Sequence, residues 1–149
     1  RSVFRRQLRK SVIGRIGVLL IQEHHLNEQR VQKYGNLLSG QWRQFWVPAT
    51  GDNCLKGGLC IAINGIWWSS FLHYGVLTCC RGHYVILQVG LKKWGLLNIY
   101  APNHVRDRTI LWKSIMSQLP TADHWAIAGD FNKLEDVWHI TNIIWFRII

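Results

Sequence analysis

The segment Trp125-Ala126-Ile127-Ala128-Gly129-Asp130-Phe131-Asn132 constrains this chain more than any other. A short apolar run closed by a glycine suits an inner strand of a packed sheet. The acid and the amide that follow then sit on rigid backbone where the strand ends. A site for metal, water and phosphate can be built at such a place. Taken alone, the segment fits a strand followed by a polar turn equally well.

Other strands bring similar endings. Gly17-Val18-Leu19-Leu20-Ile21-Gln22-Glu23 is an apolar run ending in a carboxylate. Gly57-Gly58-Leu59-Cys60-Ile61-Ala62-Ile63 is a second, opened by two glycines. Trp94-Gly95-Leu96-Leu97-Asn98-Ile99-Tyr100-Ala101-Pro102-Asn103 is a third, ending in Tyr and Asn. Each motif is weak alone. In this order they resemble the endonuclease/exonuclease/phosphatase superfamily, a group of divalent-metal phosphoesterases. Within it they are most similar to the apurinic-type endonuclease domain of LINE-type retrotransposons. That domain runs from a Gln-Glu strand to a Gly-Gly strand, then Asn-x-Tyr-Ala-Pro-Asn, then Gly-Asp-Phe-Asn. The resemblance covers roughly residues 3–136. It implies a partial domain over 1–136, with 137–149 an apolar tail outside the family pattern.

The resemblance implies an α/β fold, a layered α/β sandwich of two β-sheets packed face to face with helices outside. The chain would carry mainly its N-terminal half. The implied activity is Mg-dependent phosphodiester hydrolysis, as a DNA-nicking endonuclease of retrotransposon origin. A phosphodiester's negative charge repels hydroxide, so a catalyst must neutralise it, orient water and stabilise the leaving oxygen. Glu23 is implied as the ligand of Mg2+ (or Mn2+), a cation that takes one or two carboxylates and keeps several waters. Asp130 would orient or deprotonate the attacking water. The Asn132 amide and the Tyr100 hydroxyl would donate to the phosphoryl oxygens, and Asn103 would reach the nucleic-acid backbone. Against these roles stand plainer ones. Glu23 also fits a surface acid, Tyr100 a half-buried strand residue, and Asn103 a turn residue after Pro102. His24 and His25 follow Glu23, but neighbouring strand residues face opposite ways, so at most one could join its neighbourhood and both are expected to be incidental.

The rest of the family site has no match. A first-strand Asn, in a context like Trp-Asn-x-x-Gly, should precede the first helix. A later Asp-containing segment and a Ser-Asp-His should follow Gly-Asp-Phe-Asn. Asp123-His124 precedes that motif, and His139 lacks the acid and serine. The chain begins with Arg1 and ends in an apolar run at 140–149. Both ends read as cut, so the expectation is a fragment of a longer reading frame. Its nuclease would be impaired, because loss of one member of a catalytic unit removes most of the rate. The second sheet is expected to be largely missing, leaving an apolar face open to aggregation.

At 149 residues and 48% hydrophobic content, the chain suits one domain with a real core and not disorder. Its net charge of +10 favours a polyanionic partner. The expected partners are DNA and, from the resemblance, a reverse transcriptase domain in the parent polyprotein. Nine Trp residues supply core filling or base stacking, with Trp94 and Trp125 expected to be structural. Cys54, Cys60, Cys79 and Cys80 form no C-x-x-C pair, which argues against zinc. With no glycosylation acceptor, signal peptide or membrane-length apolar run, a nuclear or cytoplasmic protein with no membrane partner is expected. Two other functions stay open: a non-catalytic basic nucleic-acid-binding protein, and an interaction fragment that pairs through its sheet.

Along the chain, 2–12 has helical spacing with a basic face. Residues 16–22 form a strand, 27–40 a polar helix or loop, and 45–47 and 59–63 neighbouring strands. Val85, Leu87, Val89 and Leu91 alternate, and Lys92-Lys93 is expected to turn the chain into the strand 94–100. Leu111, Ile115 and Leu119, flanked by Trp112 and Met116, place a helix at 106–119 that Pro120 ends. The strand 125–130 follows.

Overall fold

Two β-sheets packed face to face organise the computed structural model, which describes residues 17–35, 38, 40–51, 57–132 and 143–146. The first sheet holds β1 (Val18–Gln22), β2 (Trp42–Val47) and β3 (Leu59–Asn64) in the order β1-β3-β2, all antiparallel. The second holds β4 (Phe71–Val76), β5 (Gly82–Val89), β6 (Lys92–Tyr100), β7 (His124–Asp130) and β8 (Ile143–Phe146) in chain order. β4, β5 and β6 are antiparallel, whereas β6, β7 and β8 run parallel. Helix α1 (Glu28–Tyr34) follows β1, and a 3-10 helix, Gly65–Ser70, links the sheets. Helix α2 (Val105–Gln118) is the crossover that the parallel pair β6–β7 requires.

The burial pattern explains the layers. Every residue of β3 is buried, as suits a central strand that reads Leu-Cys-Ile-Ala-Ile-Asn without polar alternation until its end. Ile61 and Ile63 of β3 pack on Val85 and Leu87 of β5, and Val18, Leu20, Phe45, Trp67, Phe71, Tyr74 and Leu96 close around them. On the other face of the second sheet, Tyr84, Ile86, Leu97, Ile99 and Ile127 meet Leu111 and Ile115 of α2. Period two in the strands and period four in the helix thus sort one sequence into two cores.

Two expectations need correction. The second sheet is present, and the first covers its inner face, so Ile61, Ile63 and Val85 are fully buried. The apolar face expected to be open is therefore closed between the sheets. The β5–β6 turn falls two residues early, because Val89 pairs with Lys92 and Gly90-Leu91 forms the loop. Gly90 has φ +60, the left-handed value that a two-residue hairpin needs at its first position and that Gly adopts without strain. Lys92 and Lys93 therefore begin β6, and Leu91 is exposed at the tip.

The other elements lie near their expected places. Leu111 and Ile115 are buried, Leu119 packs against the same core, and Met116 faces solvent. Residues 143–146, within the apolar tail, pair with β7 as β8. The helix expected at 2–12 and most of the connection at 51–58 lie outside the described residues. Among the described residues, no helix is long and apolar enough to cross a membrane.

Candidate active site

Three strands end together. Glu23 directly follows β1, Tyr100 closes β6 and Asp130 closes β7. Tyr100 and Asp130 are register partners in the parallel pair, and the Ala101 N–H donates to the Asp130 carbonyl at 2.7 Å. The Glu23 and Asp130 carboxylates both lie close enough to the Tyr100 hydroxyl to act on it. Partial burial raises the Tyr100 pKa first. The Glu23 carboxylate and the Asp130 charge raise it further, against the opposing charge of Arg81. Tyr100 therefore keeps its proton at neutral pH and remains a donor.

Gly-Asp-Phe-Asn folds as a strand end with a built-in turn. A side chain at Gly129 would begin 2.1 Å from the Ile99 carbonyl oxygen, so β6 and β7 approach too closely there for anything but glycine. Asn132 has φ +50, and its N–H donates to Asp130 Oδ1 at 3.0 Å. Its side-chain Nδ2 donates to the Ala101 carbonyl. One of the two amide hydrogens expected for phosphate is thus occupied in tying β7 to the loop after β6. Asn103 is exposed on that loop, where its carbonyl accepts from Arg108 Nη1 at 2.7 Å. Glu23, Tyr100 and Asp130 are therefore brought together with Asn132 beside them, and Asn103 lies farther along the loop.

His24 has a structural role. Its Nδ1 accepts the Leu26 N–H at 3.0 Å, and its Nε2 faces the Val47 carbonyl at 3.1 Å. Both ring nitrogens are therefore engaged by backbone, which fixes a neutral tautomer with its proton on Nε2. Burial lowers its pKa accordingly.

Sequence patterns missed several residues here. The Arg81 guanidinium lies 5.2 Å from the Tyr100 ring centre, and the Arg81 carbonyl accepts the Tyr100 N–H at 2.9 Å. Arg108 is buried and grips the Pro102 and Asn103 carbonyls from inside α2. Neither belongs to a motif. The one available signal for Arg108 was a charge on the buried helical face, three residues before Leu111.

Two hard carboxylates beside a phenol fit a cation that takes few protein ligands and keeps its waters, as Mg2+ does. Among the described residues, no group of three or more His, Cys, Asp or Glu side chains could hold a metal. Such a cage suits a more demanding metal.

No family model matches the sequence, and no curated protein matches it. Solved structures do match. A humanized D. rerio TDP2 with 14 mutations aligns at TM-score 0.59 and 17% identity, over 87% of this chain and 54% of its own. ANGEL2, a 2′,3′-cyclic phosphatase, aligns at TM-score 0.56 and 15% identity, over 89% of this chain and 43% of its own. D. rerio TDP2 complexed with a single strand DNA product aligns at TM-score 0.54 and 18% identity, over 81% and 50%. The chain spans about half the length of these proteins. The likeness shows the fold, which is part of the layered α/β sandwich of the endonuclease/exonuclease/phosphatase type.

Proposed function

We propose that this chain carries part of a Mg2+-dependent phosphodiesterase site acting on DNA. The convergence of Glu23, Tyr100 and Asp130 at three neighbouring strand ends carries this reading. Glu23, with Asp130 nearby, would hold Mg2+ (or Mn2+), which supplies positive charge to the phosphoryl oxygens when bound. Asp130 takes the proton from an attacking water. Tyr100 turns its hydroxyl from Glu23 to a phosphoryl oxygen, and the remaining Asn132 amide hydrogen adds a second donor as charge develops. Asn103, exposed on the neighbouring loop, would meet the nucleic-acid backbone.

DNA as substrate is supported by the net charge of +10, by the retroelement-like run from Asn98 to Asn103, and by the DNA-product complex of the similar TDP2. That same run motivates an origin in a LINE-type element, with a reverse transcriptase domain in the parent polyprotein. The 149 residues contain no counterpart of the family's first-strand Asn or its Ser-Asp-His. Slow turnover is therefore expected of this chain by itself.

Nicking of supercoiled plasmid in Mg2+, compared with Asp130→Ala, tests the proposal. Nicking that disappears in the variant and in EDTA supports it. DNA binding that falls steeply with salt, survives loss of Asp130 and Glu23, and comes without nicking would favour the non-catalytic binder instead.

A further inference from the structure

Beneath the site, between the two sheets, runs a chain of polar side chains that the proposed reaction does not use. Asn98 of β6 and His83 of β5 are both fully buried. Asn98 Nδ2 lies 3.0 Å from the Ile21 carbonyl oxygen, 3.2 Å from that of Cys60 and 3.0 Å from His83 Nε2. Carbonyl oxygens only accept, so the amide nitrogen must face them. That turns Asn98 Oδ1 toward Gln22 of β1, whose Nε2 donates to it and also reaches the Leu20 carbonyl at 3.3 Å. His83 Nε2 can only accept from Asn98, whose two amide hydrogens are shared among three acceptors, and this leaves the ring proton on Nδ1, facing the Tyr74 hydroxyl at 3.2 Å. Every link from Gln22 to Tyr74 thus has one consistent direction.

A buried polar chain is costly where apolar packing would serve, and Ile61, Ile63, Val85 and Leu87 fill the same interface with hydrocarbon. What the chain holds is the end of β1. Asn98 grips the carbonyl of Ile21 and the side chain of Gln22, the two residues before Glu23. Glu23 itself has φ +52, a conformation that non-glycine residues keep only when their surroundings impose it. The β1–β3 ladder stops at Gln22. Beyond it the His24 N–H reaches the Gly58 carbonyl at a long 3.4 Å, and the His25 N–H donates to that of Gly57 at 3.1 Å, toward the β3 side. Asn98 also lies on the strand that carries Tyr100, whose hydroxyl the Glu23 carboxylate acts on.

We propose that Asn98, through Gln22 and the Ile21 carbonyl, is a positioning residue that seats Glu23 opposite Tyr100, with His83 and Tyr74 as its buttress. Its consequence for catalysis rests on the phosphodiesterase reading; the seating of Glu23 does not.

The test uses the full chain and two variants. Gln22→Met keeps the length of a half-buried side chain and removes its amide. Asn98→Asp keeps the volume and the acceptor for Gln22 but replaces the donor to Ile21 and Cys60. Amide hydrogen exchange at His24 and His25 should quicken about tenfold in each variant, while the β5–β6 amides keep their protection. Mn2+ binding, read from the electron paramagnetic resonance signal of the free ion, should weaken about 10- to 100-fold. Unchanged exchange at His24 and His25 in both variants overturns the proposal. So does faster exchange spread evenly over both sheets, which marks a merely structural role. If the native chain neither nicks DNA nor binds Mn2+ through Glu23 while local exchange still responds, the phosphodiesterase reading falls and the seating of Glu23 stands. Nicking with the same Mg2+ dependence in all three proteins sinks the inference and leaves the reaction.

Discussion

The carboxylate of Glu23 lies close enough to the hydroxyl of Tyr100 to act on it, so the last residue of β6 meets the residue just beyond β1 across the gap between two sheets. This contact places a protonated phenol beside the two carboxylates proposed to work on phosphate. Tyr100→Phe removes the donor and keeps the ring that Arg81 and Gly57 pack against. The nicking rate should fall about 100-fold, the scale of losing one donor to a developing oxyanion. Stability should fall by no more than about 1.5 kcal/mol, the net worth of one partly exposed hydrogen bond. Plasmid nicking at saturating Mg2+, paired with urea unfolding, separates the two effects. A rate equal to that of the native chain would remove Tyr100 from the mechanism.

Asn132 supports a second prediction, because its backbone and side chain do separate work. Its φ of +50 suits glycine, tolerates Asn and strains alanine. Its amide closes the β7 end onto Ala101. Asn132→Gly loses only the amide bond, whereas Asn132→Ala loses the bond and adds backbone strain. The alanine variant should be the less stable by about 1 kcal/mol. Equal urea midpoints with equal slopes would show that the left-handed turn carries no strain.

The strands that build the site were legible because each has a simple pattern. The run from Val18 to Gln22, the run from Leu59 to Ile63 and the run from Trp125 to Asp130 are apolar segments with polar ends. Each is a strand in the fold, and the polar ends of the first and last lie at the site. Helix α2 was legible through Leu111 and Ile115, whose spacing matches the face it buries. The β5–β6 turn was misplaced because Lys92-Lys93 is the polar pair, while the turn depends on backbone freedom at Gly90. The two-sheet sandwich was expected, but that this chain holds enough of the second sheet to close the face between them was missed. The strands expected as neighbours at 45–47 and 59–63 do pair, as β2 and β3, but the long-range pairing of β1 with β3 cannot be read from local alternation, and β3 gives no alternation at all. Arg81, Asn98 and His83 escaped for a related reason. Their roles come from partners on other strands, and a polar residue in a strand looks the same whether it faces water or a buried amide.

Gly58 and Gly40 form a matched pair for a third prediction. A methyl group on Gly58 would lie 2.4 Å from the His24 ring, at φ +91. The same group on Gly40 would meet nothing within 4 Å. Gly58→Ala must push His24 off the Leu26 N–H and the Val47 carbonyl, and a loss of about 2–3 kcal/mol is expected from overpacking and backbone strain together. Gly40→Ala should stay within about 0.5 kcal/mol of the native chain. Thermal melts of the two variants decide this. Equal losses would mean that His24 can leave its place freely and that the Gly-Gly pair has another purpose.

The buried network also sets the pH range of the fold. Burial lowers the His83 pKa from 6.5 to about 3, and burial lowers that of His24 as well. An unfolded chain takes up these protons near pH 6.5, but the folded chain refuses the His83 proton until about pH 3. In between, the unfolded state holds more protons, so stability falls as pH falls, by up to about 1.4 kcal/mol per pH unit for each fully neutral imidazole. Asp123, whose carboxyl is lowered chiefly by the Lys93 N–H, acts only below the carboxylate range of 3.8 and leaves this window to the histidines. At the alkaline end the sign reverses. Burial raises the Cys60 thiol from 9.0 to about 12 and the Tyr74 phenol from 10.0 to about 12, so the unfolded chain releases those protons first. Stability should therefore be level between about pH 6.5 and 9 and decline on either side. His83→Gln keeps a hydrogen-bonding side chain beside Asn98 and removes one titration, so its acid decline should be shallower by one proton. Urea unfolding from pH 4 to 8 measures that slope. An unchanged slope would place the uptake on other groups and show that His83 is already protonated in the folded chain, contrary to the direction of its bond with Asn98.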